Sequence, residues 1–353
     1  MDLSGPPPPP FLAEIAARVE ARVRALLEDE ERRWAAVDPD LGAPIADLAA
    51  LVLGGGKRLR PAFCHWAYVG AGGDDVSLAV DAGAAFELLH AFALVHDDVM
   101  DGSDRRRGAM TTHLTYGNRH GDAGWRGESR RFGEGVAILV GDLAFVYADV
   151  LLRRAGDQAR LVWDELRVEL NVGQYLDVLK TASGGADLAT ARRIASYKSG
   201  KYTVERPLHV GAALADRHDE LAEPLSAYGL PLGEAFQLRD DLLGVFGDAA
   251  VVGKPVGDDL REGKPTPLLA IARERATGAD AGLLGRVGDP DLDASTVTDL
   301  QEVLVRTGAV AEVERRIEDL ADDALAAAKE APLCDEARLA LLDLVAYVAW
   351  RDR

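Results

Sequence analysis

The sequence predicts an all-α protein, a single large helical bundle. Aromatic residues make up only 6% of the 353 residues, whereas alanine and leucine are abundant, and this balance favours helix. Apolar residues recur at helical spacing, as in Leu12, Ile15, Val19 and Val23. No window shows the sustained two-residue alternation of a half-buried strand. We therefore expect helices around an apolar core and no sheet.

The helices are predicted in the following order. The proline run at residues 6–10 cannot pack as a helix, so residues 1–10 are expected to form a flexible tail and residues 11–353 one domain. Helical periodicity then runs from residue 11 to about 53. Further helices are predicted over residues 60–70, 77–101, 134–155, 158–181, 187–213, 219–246, 265–277, 297–306 and 309–351, the last broken near Pro332.

One stretch is predicted as a long loop. Residues 116–133 are polar and glycine-rich and show no periodicity. Within it, Trp125 is expected either to anchor the loop by packing or to belong to a lid.

The net charge, the cysteine content and the lack of long apolar runs argue against several kinds of partner and site. The formal net charge is −19, which argues against nucleic acid bound through phosphate neutralisation. Cys64 and Cys334 lack metal-ligand spacing and predict neither a zinc site nor a disulfide framework. The N-terminus lacks the features of a signal peptide, and no run approaches about 20 uninterrupted apolar residues. These observations predict a soluble, cytoplasmic protein with no integral membrane segment.

Two acidic clusters follow long apolar helices. In the first, Asp97 and Asp101 are four residues apart and share a helix face with Asp98 beside them. Carboxylates at a helix C-terminus oppose the macrodipole and repel one another, which favours a bound cation. Hard oxygen ligands at this spacing suit Mg²⁺. The alternative is a solvated acidic helix end. The second cluster, Asp240 and Asp241 with Gln237 nearby, repeats the pattern, so two facing helices are expected to bracket a metal–diphosphate complex.

Basic residues surround the acidic ones. The segment GGGKRLRP joins three glycines to Lys57, Arg58 and Arg60, so backbone amides and a planar guanidinium are available for phosphate oxygens. It lacks the spacing and the Ser/Thr of a P-loop. More cations follow the acidic clusters or lie between them: Arg105, Arg106, Arg107, Lys198, Lys201, Lys254 and Lys264.

Six motifs occur in the order found in trans-prenyl diphosphate synthases: GGGKRLRP, HDDVMDGSDRRRG, GQYLD, YKSGKYT, FQLRDDLLGVFGD and GKPVGDDLREGK. Over about residues 40–350 the chain resembles this family, and within it the geranylgeranyl or polyprenyl branch. The resemblance implies an isoprenoid-synthase bundle around a deep central cavity. It also implies a homodimer that uses Mg²⁺, with three ions per active site, and no organic cofactor.

The resemblance further implies a role for each matching position. The metal ligands would be Asp97, Asp98, Asp101, Asp240 and Asp241. The pocket for isopentenyl diphosphate would contain Lys57, Arg60, His90 and Arg107. Contacts to the allylic diphosphate would come from Arg106, Lys198, Ser199, Gln237, Lys254 and Lys264. The catalytic group would comprise Asp97, Asp101, Lys198, Gln237, Asp240 and Lys254. Gln174 and Asp177 match a family motif near the cavity wall.

The implied reaction is ionisation of the allylic diphosphate, head-to-tail attack by isopentenyl diphosphate and loss of a proton, with the departing diphosphate as the base. Phe92 and Ala93 lie one turn before Asp97, on the expected path of the growing chain. An aromatic residue at position 92 resembles the pattern of synthases that stop at twenty carbons. The other possibility is that Phe92 packs outward into the helical core.

One position departs from the family. A third aspartate is common in the second acidic motif, where this chain has Gly244. The first aspartate is expected to make the direct metal contact, and Asp248 is an imperfect replacement. Two other functions remain open: a class I terpene cyclase, and a catalytically silent subunit of a heteromeric synthase.

Overall fold

The structure is a computed structural model that describes residues 6–106, 108–247 and 257–350. Its helices are α1 (Pro10–Ala35), α2 (Ala43–Leu53), α3 (Leu59–Gly70), α4 (Val76–Asp101), α5 (Thr112–Asp122), α6 (Ser129–Leu151), α7 (Asp157–Ala182), α8 (Leu188–Ala195), α9 (Arg206–Leu214), α10 (His218–Phe246), α11 (Asp258–Glu262), α12 (Pro267–Arg275), α13 (Gly278–Leu284), α14 (Ala294–Arg306), α15 (Ala309–Glu330) and α16 (Asp335–Ala349). A π-helix (Ser196–Glu205) joins α8 to α9, and short 3₁₀ turns lie at Pro39–Leu41 and Leu152–Arg154.

The all-α prediction is confirmed. The break near Pro332 separates α15 from α16, as expected, because proline cannot continue a helix. The helix predicted over residues 187–213 is instead three consecutive segments, of which the central one is π-helical. The flexible character of residues 1–10 stays a prediction, although α1 begins at Pro10.

The prediction of a loop over residues 116–133 is wrong at both ends, because both ends are helical. Residues 112–122 form α5, and α6 begins at Ser129. Glycines in this stretch serve close helix packing: a Cβ on Gly133 would lie 2.0 Å from the carbonyl oxygen of His113 on α5. The loop between the helices is short, and Trp125 packs edge-on against Phe132 at 5.4 Å, so it anchors the α5–α6 junction.

A minimal antiparallel β-pair also departs from the prediction. Arg105–Arg106 pairs with Ala109–Met110. Each strand has two residues, which is too short to produce a period-two pattern in the sequence. The turn folds the chain back after α4, and this brings Arg106 next to the acidic end of that helix.

The core holds the two acid-bearing helices in place. In α4, nearly every residue from Ala82 to Leu89 is fully buried, and Phe86 packs edge-on against Trp163 of α7 at 5.1 Å. In α10, the fully buried Tyr228 packs against Phe63 of α3 and donates a hydrogen bond to the carbonyl of Leu341 at 2.8 Å. The C-terminal ends of α4 and α10, both anchored in this core, line one cavity.

In the part of the chain that the structure describes, two helical stretches are long and apolar enough to cross a membrane by length and composition alone, Val76–Asp101 and Ser129–Arg154. Charged residues interrupt both stretches, Asp81 and Glu87 in the first and Asp142 and Asp149 in the second, so neither is an uninterrupted apolar run of about 20 residues. The apolar window of the first is 67% buried within the bundle, as in the core helix of a soluble protein. The second is only 44% buried, so α6 presents apolar side chains on the outside of the molecule.

Candidate active site

A cavity of about 210 Å³ opens between the C-terminal ends of α4 and α10. It is lined by most of the residues that the sequence singled out, namely Arg60, His90, Ala93, Asp97, Lys198, Ser199, Gln237, Asp240, Asp241 and Lys264. Leu94, Leu170, Gln174, Asp177, Ala191, Ile194, Ala195, Tyr202, Asp259, Pro265, Thr266 and Pro267 complete the wall. The wall therefore combines charged and polar groups with aliphatic side chains.

The three carboxylates of the first cluster each meet a basic side chain. The Nζ of Lys198 donates a hydrogen bond to Oδ1 of Asp97 at 2.9 Å, and Gln174 donates to the same oxygen at 2.9 Å. Arg106 donates to Oδ1 of Asp98 at 2.9 and 2.5 Å. Lys264 lies 3.3 Å from Oδ2 of Asp101. Cations from three separate segments thus converge on the last turn of α4.

The environment separates the acidities of Asp97 and Asp101. Burial opposes ionisation of Asp97, but the charges of Lys198, Lys264 and Arg106 outweigh it and hold the pKa of Asp97 well below its usual range. Burial raises the pKa of Asp101, and repulsion from Asp97 adds to this although Lys264 acts in the opposite direction. Asp97 is the firmly ionised member of the pair.

The π-helix places Lys198 at the centre of the site. Lys198 also donates to Oδ2 of Asp177 on α7 at 2.5 Å, which gives Asp177 the role of holding this lysine in position. The contact requires Gly173 on α7, since a Cβ there would lie 2.5 Å from the backbone nitrogen of Lys198. The GQYLD motif therefore positions Lys198 through a small residue and a carboxylate.

The second cluster contains one deeply buried carboxylate. Asp241 is 3% exposed and accepts a hydrogen bond from Gln237 at 2.7 Å through Oδ1. Its other oxygen, Oδ2, is buried without a hydrogen-bond partner. Burial raises the pKa of Asp241, and the charges of Asp259 and Asp240 raise it further, against the hydrogen bond from Gln237. Asp240, Asp241 and Asp259 all line the same cavity.

The basic side chains of the GGGKRLRP segment lie in different surroundings. Arg60 lines the cavity, stacks over the ring of Tyr202 at 4.3 Å and donates to Thr203 at 2.9 Å. Arg58 instead turns inward and forms a buried ion pair with Glu87. Lys57 is half-buried and outside the cavity lining.

The two candidate chain-length residues are placed differently. Ala93 lines the cavity, whereas Phe92 does not. The ring of Phe92 packs against Phe145 of α6 at 4.8 Å and against His96 at 4.7 Å. Phe92 therefore lies between α4 and α6. This is outward packing into the helical core, the alternative placement named from the sequence.

Three residues of interest lie outside the described part of the chain: Arg107, Lys254 and Asp248. The sequence analysis assigned no role to Tyr202 or Asp259, both of which line the cavity. Asp259 lies in the quoted motif GKPVGDDLREGK, so a signal existed. Only the folded chain shows that this aspartate faces Asp240 and Asp241.

The donor set fits Mg²⁺ that is shared with a phosphate ligand. Within residues 6–106, 108–247 and 257–350, no group of three or more His, Cys, Asp or Glu side chains converges as a preformed metal site. Mg²⁺ commonly binds through one or two carboxylates, several waters and substrate phosphates. The buried Oδ2 atoms of Asp101 and Asp241, which lack hydrogen-bond partners, are acceptors suited to such an ion or its waters.

Comparisons with known proteins agree with this architecture. Residues 45–304 match the family model described as polyprenyl synthetase. The geranylfarnesyl diphosphate synthase of Aeropyrum pernix is 31% identical over 84% of this chain and 90% of its own length. The nonaprenyl diphosphate synthase of Mycobacterium tuberculosis is 31% identical over 97% and 94%. A crystal structure of geranylgeranyl pyrophosphate synthase from Corynebacterium glutamicum, complexed with isoprenyl diphosphate and magnesium, superposes with a TM-score of 0.91 at 35% identity, covering 96% of this chain and 99% of that one.

The relatives carry names with different product lengths, so they share the reaction type and not one product. They also share the helical fold, and the cavity described above combines acidic, basic and apolar walls as prenyl transfer to a diphosphate substrate requires. On these grounds, the chain belongs to the polyprenyl synthetase family and is a prenyltransferase that elongates prenyl chains.

Proposed function

We propose that the chain joins isopentenyl diphosphate head to tail to an allylic diphosphate in the cavity between α4 and α10. The observation that carries this proposal is the convergence of two acidic helix ends and the basic residues Arg60, Lys198 and Lys264 on one cavity with an apolar wall. The related structure with bound isoprenyl diphosphate and magnesium supports the same ligands here.

The side chains of the site are suited to hold a diphosphate. The ammonium of Lys198 has three N–H donors, of which Asp97 and Asp177 engage two, so one can reach a phosphate oxygen. Arg60 is fixed by Tyr202 and Thr203, which orients its guanidinium toward the cavity. Mg²⁺ ions at the two acidic clusters, three in all, would neutralise charge on the leaving diphosphate.

The remaining wall protects the reaction from water. Ala93, Leu94 and Leu170 offer no nucleophile to an allylic cation and exclude solvent from it. The departing diphosphate would accept the proton lost after carbon–carbon bond formation. Lys198 and Arg106 would retain that diphosphate through charge-assisted hydrogen bonds.

Incubation of the purified chain with isopentenyl diphosphate, farnesyl diphosphate and Mg²⁺, followed by mass spectrometry, tests the proposal. We expect elongated diphosphates from the wild-type chain and none from Asp97→Ala or Asp101→Ala. Cyclic hydrocarbons formed without isopentenyl diphosphate would favour a terpene cyclase. A folded wild-type chain that is inert alone but active with a partner subunit would favour a silent subunit.

We also propose geranylgeranyl diphosphate as the main product. Phe92 does not line the cavity, so an effect of this ring on chain length would act through the packing of α4 against α6. Phe92→Ala should shift the products toward longer chains, because it removes the ring that fills the space between α4 and α6 at Phe145. Ala93→Leu should shorten them, since Ala93 lines the cavity itself. An unchanged distribution in Phe92→Ala together with shortening in Ala93→Leu would place the floor at another residue.

A homodimer is proposed from the outer surface of α6 and α7. Exposed apolar side chains run along both helices: Ile138, Leu139 and Val146 on α6, and Leu161, Val168, Val172, Tyr175 and Leu179 on α7. Those of α7 recur at spacings of three, four and seven residues and so share one face. An exposed apolar helix face of this kind is typical of an interface, and a second copy of the chain is the proposed partner. A cytoplasmic location stays a prediction.

A further inference from the structure

The side chain of Glu169 on α7 binds two cations that lie five residues apart in the chain. Its Oε1 accepts hydrogen bonds from the Nζ of Lys201 and, at 2.8 Å, from Arg206. Its Oε2 accepts a second hydrogen bond from Arg206 at 2.6 Å. Lys201 lies within the π-helix, and Arg206 is the first residue of α9. One carboxylate therefore connects the middle of the π-helix to its C-terminal end.

The backbone between Lys201 and Arg206 is wound as a π-turn. The N–H of Arg206 donates to the carbonyl of Lys201, which is the hydrogen bond between residues i and i+5 that defines a π-helix. In an α-helix, residues five apart point about 140° away from each other around the axis, since each residue turns by about 100°. The wider π-turn brings them closer to one side, so both side chains can reach one carboxylate. The bridge by Glu169 thus fits the π-helical register and not an α-helical one.

The bridge is largely buried and strongly ionic. Glu169 is 8% exposed, and although burial raises its pKa, hydrogen bonds from Arg206 and Lys201 outweigh burial and hold the pKa below its usual range. A second buried carboxylate, Glu205, lies 3.7 Å from Lys201 and accepts a hydrogen bond from Ser226 of α10 at 2.6 Å. Removing the charge of Glu169 would take a buried carboxylate away from both cations, which is costly. Glu169 is therefore an ionised and firmly held anchor.

The same face of α7 also holds Lys198. Glu169, Gly173 and Asp177 are spaced by four residues and so lie along one face of the helix. A Cβ on Gly173 would lie 2.5 Å from the backbone nitrogen of Lys198, and Asp177 accepts a hydrogen bond from the Nζ of Lys198 at 2.5 Å. The π-helix is thus held at successive points along α7. An α-helical register after Lys201 would rotate the preceding turn about its axis, and Lys198 with it.

We infer that Glu169 is a positioning residue that fixes the π-helical register and thereby the place of Lys198 in the cavity. It does so by bridging Lys201 and Arg206. The inference rests on the proposed role of Lys198 in binding a diphosphate. None of the three charged residues of the bridge lines the cavity, so the bridge acts on a ligand through the helix and not by contact.

Calorimetric titration with inorganic diphosphate in the presence of Mg²⁺ tests this inference. Glu169→Gln keeps the side-chain shape and removes the charge, and it should weaken diphosphate binding about tenfold, the scale of one lost charge-assisted hydrogen bond. In a Lys198→Ala background the same substitution should change the affinity less than about twofold, because the residue through which it acts is absent. Lys201→Met leaves the pair between Glu169 and Arg206 intact, and it should reproduce the loss if Glu169→Gln does not fold.

Asp81→Asn is the matched control. Asp81 is 8% exposed, like Glu169, accepts a hydrogen bond from Arg22 at 2.6 Å and lies outside the cavity lining. Its loss should lower the melting temperature, because it also leaves an arginine without its carboxylate, but it should leave the affinity for diphosphate unchanged. A weakening equal to that of Glu169→Gln would assign both effects to general loosening of the fold and overturn the inference.

Wild-type affinity in folded Glu169→Gln, or an equal loss with and without Lys198, would also overturn it. The proposed function fails separately. If the wild-type protein shows the expected pattern of diphosphate binding but does not join isopentenyl diphosphate to an allylic diphosphate, the positioning role stands and the proposed reaction does not. A wild-type chain that binds no diphosphate would overturn both.

Discussion

The contacts of a buried side chain determine its role in this fold, and Arg58 is an example. Arg58 sits in the same basic segment as Arg60 and has a left-handed backbone, φ 52°, at the start of α3. It is 4% exposed, pairs with Glu87 and Glu20, and donates to the carbonyl of Val52. An uncompensated buried arginine would be costly, so these partners fix it firmly. Arg58 thereby holds the segment in place while Arg60 faces the cavity.

Arg60→Ala should raise the KM for isopentenyl diphosphate by roughly 10- to 100-fold, because a lost charge-assisted phosphate contact costs about 1.5–3 kcal/mol. Lys57→Ala should act in the same direction. Steady-state kinetics with each substrate varied in turn measures this. An effect confined to the allylic diphosphate would mean that the two substrate pockets are exchanged.

His209 gives the fold a pH dependence remote from the site. It is 4% exposed and lies beside Arg206, and burial together with the charge of Arg206 lowers its pKa to about 4. A histidine in the unfolded chain titrates near 6.5, so between these values the unfolded state binds the extra proton. Stability should therefore fall by about 2–3 kcal/mol as the pH drops through this window.

Urea unfolding of the wild-type chain and of His209→Gln at pH 7 and pH 4.5 checks this expectation. The variant should lose less of its stability between the two pH values than the wild type does. An equal loss in both proteins would assign the acid sensitivity to other groups.

At the scale of secondary structure, the π-helix is the element that builds the site. Its wider turn carries Lys198 toward α4 and α7, and it also carries Lys201 into an ion pair with Glu169. π-Helical turns are frequently found at functional sites. Where such a turn places its side chains depends on how closely the neighbouring helices approach. Gly173 of α7 permits a close approach here.

Gly173→Ala should therefore lower kcat and reduce stability by about 1–3 kcal/mol, the usual cost of overpacking. The new methyl group would push the backbone of Lys198 away from Asp97. Gly135→Ala is a matched control, because nothing lies within 4 Å of a Cβ on this exposed glycine of α6, and it should leave kcat unchanged. Kinetics and thermal melting of both variants decide the matter; equal kcat values would contradict the positioning role.

At the scale of the whole molecule, α6 and α7 link the active site to the outer surface. Asp149 of α6 accepts hydrogen bonds from Trp163 and Arg167 of α7 at 3.0 and 2.9 Å, which ties the two helices together at one end. α7 also carries Gln174 and Asp177 into the cavity. A partner bound to the outer face of α7 would therefore contact a helix whose inner face holds Lys198.

The double variant Val168→Glu/Tyr175→Glu should convert the proposed dimer to a monomer, because it places charges in the middle of the apolar face of α7. Light scattering after size-exclusion chromatography measures the mass. Leu339→Glu, at a similarly exposed position on α16, should remain dimeric. A monomeric wild-type chain at micromolar concentration would contradict the proposed interface.

The sequence by itself determined what depends on local spacing. Helical periodicity placed α4 and α10, and the i to i+4 spacing of Asp97 and Asp101 placed both carboxylates on one turn. For the glycine-rich stretch before Gly133 the same reasoning predicted a loop, but there Gly133 marks a tight contact between helices. Local patterns carry no information on which of these two applies.

Only the tertiary structure decided which distant residues meet. Lys198 reaches Asp97 across 101 positions of the chain, Arg58 turns inward although its neighbour Arg60 does not, and Asp259 fills the space beside Gly244. Each outcome depends on how closely two backbones approach and on which charges remain after burial. These quantities are set by the packing of whole helices, so no motif of a few residues specifies them.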